Sequence, residues 1–193
     1  QASTVLDDLG LTPGGYILLS AHREENIDIE ENFFSLMNAV NAMAEKYDMP
    51  ILYSCHPRSK KFIEQRGFVF DPRVIRHEPL GFFDYNKLQQ NAFCVVSDSG
   101  TVPEEGAYFG FPAVSVRTST ERPEAMDQGV FVIGSITAER VLQAVDLAVT
   151  MHSDGERAAP VPAYRDTCVS AKVVRLIQSY TGIINRMIWR KNQ

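Results

Sequence analysis

A chain of 193 residues, 45% of them hydrophobic, is long enough to bury one substantial core, and at the usual domain size this argues for a single domain. Its 24 acidic and 19 basic residues leave a net charge of −5 spread along the chain, which excludes the basic face that draws a nucleic-acid backbone by counterion release. No apolar run approaches the roughly 18 residues that cross a bilayer, so no membrane partner is expected, and three widely separated cysteines, Cys55, Cys94 and Cys168, fit a reduced, cytoplasmic setting.

The chain opens on polar residues, without an initiator Met or a signal pattern, so a processed product or a fragment of a longer protein is expected. The run YILLS (16–20) then reads as a strand buried on both faces, and the polar cluster AHREENID follows it directly. From Glu31 to Tyr47, Phe33, Phe34, Met37, Val40, Met43 and Ala44 recur at spacings of three and four, the mark of an amphipathic helix. The alternation continues: strand 50–55, helix 58–65, strand 73–78, helix 83–91, strand 92–97, helix 102–109, strand 112–117, a short helix near 121–127, and strand 130–134. Residues 137–151 lack Gly and Pro and open on Thr137 as N-cap, so a long helix is expected there. The stretch HSDGERAAPVPAYRD (152–166) reads as a surface connector. A last helix near 169–191 carries Val173, Val174, Ile177, Tyr180, Ile184 and Ile188 at helical spacing and is expected to reach beyond the domain, its partner absent. Strands alternating with helices imply βαβ crossovers and hence an α/β fold, a Rossmann-like doubly wound parallel sheet.

In such a sheet ligands collect at the carboxyl ends of the strands, where helix N-termini present unpaired N–H groups. Three polar clusters fall there: Ala21–Asn26, Ser97–Glu105 and Arg117–Glu124. Small residues at Ser99, Gly100 and Thr101 let a backbone approach a diphosphate, although Ser or Thr with Glu104 or Glu105 would equally make an ordinary capping box. Glu105, one turn into its helix, suits the vicinal hydroxyls of a ribose; acidic residues also occur there for dipole reasons alone, and two adjacent glutamates cannot both face a ligand. His22, Arg23 and Arg117 directly follow strands and suit diphosphate oxygens, with His22 able to exchange a proton near neutral pH. His56 occupies a similar position, so place alone does not single out His22, whose bland reading is a loop histidine; His77 and His152 read as structural. Phe82 and Tyr85 follow the third strand, where a ring could stack on a base, while Phe83 reads as core. No Cys or His spacing resembles a zinc site, so no metal is expected.

Taken together, SAHREEN (20–26), HPR (56–58), PLGFFDYNKL (79–88), SDSGTVPEEG (97–106) and VRTSTERPEAMDQG (116–129) resemble the non-hydrolysing UDP-N-acetylglucosamine 2-epimerases over Tyr16–Gly134, in order. The resemblance is to the C-terminal half of a two-domain architecture like that of the B-type glycosyltransferases, with the active site between the halves. It implies that Ser99 and Gly100 hold the diphosphate and that Glu105 binds the ribose. Tyr85 matches the family's uracil-stacking aromatic, Arg23 and Arg117 bind substrate, and His22 is the cleft histidine, the catalytic group on this half. It implies a reaction that inverts C2 by eliminating UDP to a 2-acetamidoglucal and adding it back, with no redox cofactor or metal. The remaining acid and base lie on the missing N-terminal domain, so the 193-residue chain alone is expected to be inactive. The family's members resemble dimers, so the full-length protein is expected to be a homodimer. Thr101 and Pro103 depart from the common family pattern of a second Gly and a Gln. With GFFDYNKLQ they look more like the capsule and O-antigen branch that forms UDP-N-acetyl-L-fucosamine from a 6-deoxy UDP-L-sugar. A B-type glycosyltransferase domain and a non-catalytic UDP-sugar sensor are the alternatives, TERPEA arguing against the first.

Overall fold

The computed structural model describes residues 3–191, which divide into two compact units, one running to Pro160 and one beginning at Val161. In the first, six strands form one parallel sheet: β1 (Ile17–Ser20), β2 (Ile51–Ser54), β3 (Val74–His77), β4 (Cys94–Ser97), β5 (Ala113–Ser115) and β6 (Val132–Ile133). Their order in space, β3-β2-β1-β4-β5-β6, is doubly wound. The chain moves outward from β1 through β2 and β3, then returns to place β4 on the other side of β1. The crevice outside the ends of β1 and β4, where the direction of winding reverses, is where such sheets seat ligands.

The central strands are apolar on both faces because helices cover both. Ile17, Leu19, Ala21, Ile51, Tyr53, Cys94, Val96, Val114 and Val116 belong to one buried cluster. The alternate residues Leu18, Leu52, Val95 and Ala113 are buried on the opposite face, as the period of two requires. α3 (Glu30–Tyr47) closes the first face with Phe33, Leu36, Met37, Val40, Met43 and Ala44, and packs beside α8 (Ala138–Ser153), which contributes Val141, Ala144, Val145 and Ala148. Each fully buried Leu or Ile of this set stabilises the fold by roughly 1.5–3 kcal/mol. The close approach of α8 to the sheet depends on Gly134, where a Cβ would lie 2.8 Å from Val114 Cγ1 and 3.2 Å from Ala144 Cβ.

The remaining helices are α1 (Val5–Asp8), α2 (Glu24–Ile27), α4 (Pro57–Arg66), α5 (Phe82–Asn91), α6 (Val102–Phe109) and α7 (Pro123–Met126). α1 and α2 were not foreseen from the pattern; four residues are too few to show a helical period. The expected strands and longer helices are all present, with ends differing by a residue or two, apart from the last helix, which stops at Met187. Thr137 precedes α8 as expected, but its hydroxyl makes no capping bond.

The second unit holds a 3₁₀ turn, Pro162–Arg165, inside the stretch read as connector, and α9 (Val169–Met187). None of the residues of α9 is buried, although Val173, Leu176, Ile177, Tyr180, Ile184 and Met187 recur along one stripe. Among the described residues no helix is long and apolar enough to cross a membrane.

Candidate functional site

Four strands end on serine, β2 on Ser54 among them, and the register aligns three of these: Ser20 on β1 lies opposite Ser97 on β4, which lies opposite Ser115 on β5. This polar rim marks the level at which the apolar sheet gives way to the loops that carry the site. Asp98 follows Ser97 and is fully buried. Its carboxylate accepts from the backbone N–H of His22 (3.1 and 2.9 Å to its two oxygens) and of Arg23 (2.8 Å), and from Asn26 Nδ2 (3.1 Å). Asn26 also donates to the Val116 carbonyl (2.9 Å), and Arg23 Nε donates to the Asp98 carbonyl (2.9 Å). The loops after β1, β4 and β5 are thereby tied into one knot around a single carboxylate, and a buried charge with this many donors is satisfied rather than costly.

The knot sets the positions of the cations. Arg23 lies over the loop before α6, so close that a Cβ at Gly100 would meet Arg23 Nη2 at 3.2 Å. Arg117, after β5, is largely buried and its Nη2 donates to Glu121 Oε1 (3.0 Å), while Glu121 also lies 3.5 Å from Arg23 Nη1 and Glu25 lies 3.4 Å from Arg117 Nε. Arg117 Nε is buried without a hydrogen-bond partner, a donor that a phosphate oxygen could satisfy. Glu121 is exposed, and its bond with Arg117 holds its carboxyl below the ordinary glutamate value.

In the loop itself, Ser99 N donates to Ser97 Oγ (3.0 Å) and Thr101 N to Ser99 Oγ (3.3 Å). Thr101 at the N-cap of α6 makes no side-chain capping bond, so the capping-box reading of this segment does not hold. The two glutamates of α6 diverge as a helix demands: Glu104 pairs with Arg122 (2.7 Å to Nε), whereas Glu105 turns toward α5, where Gln89 Nε2 donates to its Oε2 at 2.5 Å. Burial pushes the Glu105 carboxyl above its ordinary value, with Gln89 and Thr101 opposing that shift.

Tyr85 lies one turn earlier on α5. Burial pushes its phenol up to about 12, a hydrogen bond with Ser20 opposes the shift, and the charges of Glu105 and Asp98 act on it. Its hydroxyl end is thus turned toward the rim of strand ends. Phe83, read as core, is 78% exposed, and Phe82 is 70% exposed; both lie in the first turn of α5.

The two histidines after strands now differ. His56 Nδ1 accepts from Arg58 N (3.2 Å) and so caps α4, a structural task. His22 caps no helix: its side chain is 39% exposed, 3.6 Å from Asp98 Oδ1 through Nδ1, and its ring lies 5.5 Å, between centroids, from that of His56. His77 ends β3, its Nδ1 2.6 Å from the Glu78 carbonyl, and His152 lies in the last turn of α8. Among the described residues no group of three or more His, Cys, Asp or Glu side chains is placed to hold a metal ion.

His22, Arg23, Ser99, Gly100 and Arg117 are therefore gathered around Asp98, and Tyr85 and Glu105 beside them. Two guanidiniums and a serine-glycine loop at a helix N-terminus can hold a diphosphate, and a half-buried carboxylate next to an aromatic can hold a ribose. Sequence reasoning passed over Asp98, Asn26 and Gln89. Asp98 carried a signal, an acidic residue following an apolar strand at a carboxyl edge; Gln89 carried none beyond its place one turn after Tyr85.

Residues 1–178 match the sequence profile of the UDP-N-acetylglucosamine 2-epimerase family. The chain is 32% identical over 150 residues to the UDP-N-acetylglucosamine 2-epimerase of Methanocaldococcus jannaschii, covering 75% of this chain and 39% of that protein. Among solved structures, that of UDP-N-acetylglucosamine 2-epimerase from Rickettsia bellii is 37% identical and superposes with a TM-score of 0.76 over 98% of this chain and 51% of its own. The Methanocaldococcus jannaschii UDP-GlcNAc 2-epimerase in complex with UDP-GlcNAc and UDP is 27% identical, with a TM-score of 0.73 over 85% of this chain and 45% of its own. The chain thus spans about half the length, or less, of the proteins it matches.

Proposed function

The chain belongs to the UDP-N-acetylglucosamine 2-epimerase family, and from that premise we propose that it is the UDP-binding half of a 2-epimerase that inverts C2 of a UDP-2-acetamido sugar for a cell-surface polysaccharide precursor. In this reading Ser99 and Gly100 receive the diphosphate, with Arg23 and Arg117 neutralising it. Glu105 accepts from the ribose hydroxyls, Tyr85 offers its ring to the uracil, and His22 faces the sugar and diphosphate as the proton-handling group of this half. The observation that carries it is that Arg23 lies over Gly100 and shares Glu121 with the largely buried Arg117, whose Nε makes no hydrogen bond. Glu121 and Glu25 pair with these guanidiniums and must yield them to the diphosphate.

The acid and base that complete proton transfer at C2 belong to a part of the protein beyond this chain, which by itself binds UDP and does not turn over. The exposed stripe of α9 is the natural seat for that part, since an amphipathic helix with no buried residue has its apolar face still to cover. The full-length protein is then a homodimer acting in the cytoplasm. The substrate is UDP-N-acetylglucosamine or, on the SDSGT and GFFDYNKLQ motifs, the 6-deoxy-L-sugar that leads to UDP-N-acetyl-L-fucosamine.

Calorimetry with UDP on this chain, and turnover of both UDP-sugars by the full-length protein, test the proposal. UDP binding that is lost in Glu105→Ala and Ser99→Ala, with epimerisation by the full-length form alone, is the expected result. No UDP binding at any accessible concentration would overturn the site, and turnover by the 193-residue chain would overturn the division of the active site.

A further inference from the structure

α5 places Tyr85 and Gln89 four residues apart, on one face and one turn from each other. Gln89 is fully buried, its Nε2 donates to Glu105 Oε2 at 2.5 Å, and its Oε1 is buried with no hydrogen-bond partner. An apolar side chain of the same volume would fill this position without burying a half-satisfied amide, so packing alone does not account for glutamine here. The one bond the amide makes goes to the carboxylate that Proposed function assigns to the ribose.

We propose that Gln89 is a positioning residue that fixes the Glu105 carboxylate for the 2′ and 3′ hydroxyls of a ribonucleoside diphosphate, and so sets the preference for ribose over deoxyribose. This rests on the ribose reading of Glu105. A glutamate side chain ends in a freely rotating carboxylate; tying Oε2 to a buried donor removes that freedom and holds the remaining lone pairs in one direction. The same bond favours the ionised form, which is the stronger acceptor for two hydroxyls, against the burial that disfavours it. α5 therefore supplies two elements of nucleoside recognition one turn apart, the ring of Tyr85 and, through Gln89, the aim of Glu105.

The test compares binding of UDP and 2′,3′-dideoxy-UDP by the wild-type chain, Gln89→Met and Gln89→Glu, with folding checked by thermal melting. Wild type is expected to prefer UDP by about tenfold or more, as a site built around a buried polar group does. Gln89→Met, near in volume but without a donor, is expected to bind dideoxy-UDP within about twofold of wild type while its preference for UDP shrinks to about threefold or less. Its UDP affinity should also fall more steeply than that of wild type as pH is lowered, because Glu105 has lost a bond that favours its charge. Gln89→Glu carries a carboxyl that, when protonated, donates to Glu105 as the amide does. It is expected to keep the preference at low pH and lose it as pH rises, the opposite trend to Gln89→Met, and it serves by itself if the methionine variant does not fold. Equal weakening of both ligands in the variants, or a preference that survives Gln89→Met, overturns the proposal while leaving UDP binding in place. A wild-type chain that binds UDP without preferring it over the dideoxy form refutes the ribose role of Glu105 and this inference with it, whereas one that binds no UDP refutes the site itself.

Discussion

Replacing Asp98 by Asn tests whether one carboxylate holds the loops after β1, β4 and β5 together. In the wild type its two oxygens take the N–H of His22, the N–H of Arg23 and Asn26 Nδ2, all between 2.8 and 3.1 Å. Asparagine keeps the shape and one acceptor, but it removes the charge and turns an NH₂ group toward N–H donors. With hydrogen bonds to a charged group contributing about 1.5–3 kcal/mol each, the loss of one or two of them is expected to cost about 2–4 kcal/mol. For a chain of this size about 1 kcal/mol moves the melting temperature by about 2–4 °C, so a fall of about 5–15 °C is expected in a thermal melt. Hydrogen exchange gives the local reading: the amides of His22 and Arg23 should lose protection well beyond the global change, because their acceptor is gone. Asp98→Ala, which removes the acceptor from all three donors and leaves Asn26 only its bond to the Val116 carbonyl, should fall further. A melting point for Asp98→Asn within about 2 °C of wild type, with both amides still protected, would refute the knot.

Other consequences follow from the same geometry. Burial raises the folded-state carboxyl of Glu105 above its unfolded value, so its contribution to stability is full below the ordinary glutamate value and is lost as pH rises through the raised one. Glu105→Gln cannot ionise and is expected to melt higher than wild type at neutral pH, with the difference vanishing in acid; an unchanged stability profile would contradict the burial of that charge. Gly134→Ala forces a Cβ against Val114 Cγ1 at 2.8 Å and toward the Val141 backbone at 3.6 Å. Overpacking between β5 and α8 should cost about 1–3 kcal/mol in denaturant unfolding, and a neutral result would mean that α8 stands off the sheet. Cys55 and Cys94 are buried, with burial pushing the Cys55 thiol up to about 11 and Cys94 upward as well, while Cys168 is exposed. Thiol labelling of the native chain should therefore show one fast cysteine, abolished by Cys168→Ser, and all three only after unfolding.

Hydropathy along this chain determined a great deal by itself. Apolar runs such as YILLS and AFCVVS between amphipathic stretches can satisfy their backbone and bury both faces only as central strands of a parallel sheet, so the α/β architecture was legible locally. The carboxyl-edge clusters were legible for the same reason, since polar residues that directly follow a doubly buried strand must stand at the sheet's edge. Glu104 and Glu105 were bound to diverge, because successive residues on a helix point about 100° apart, and they do. What a side chain meets across the fold was not legible. Phe83 has the apolarity of a core residue and stands exposed, because hydrophobicity records a tendency and only the packing of α5 decides which face is covered. His22 and His56 are equivalent in the sequence, each a histidine after a strand; one caps its own helix and the other borders a buried carboxylate 76 positions away. Gln89 and Glu105 are 16 residues apart on different helices, and nothing in either segment announces the other. Periodicity is a property of neighbours along the chain, whereas the knot at Asp98 and the aim of Glu105 are properties of residues that only the closed sheet brings together.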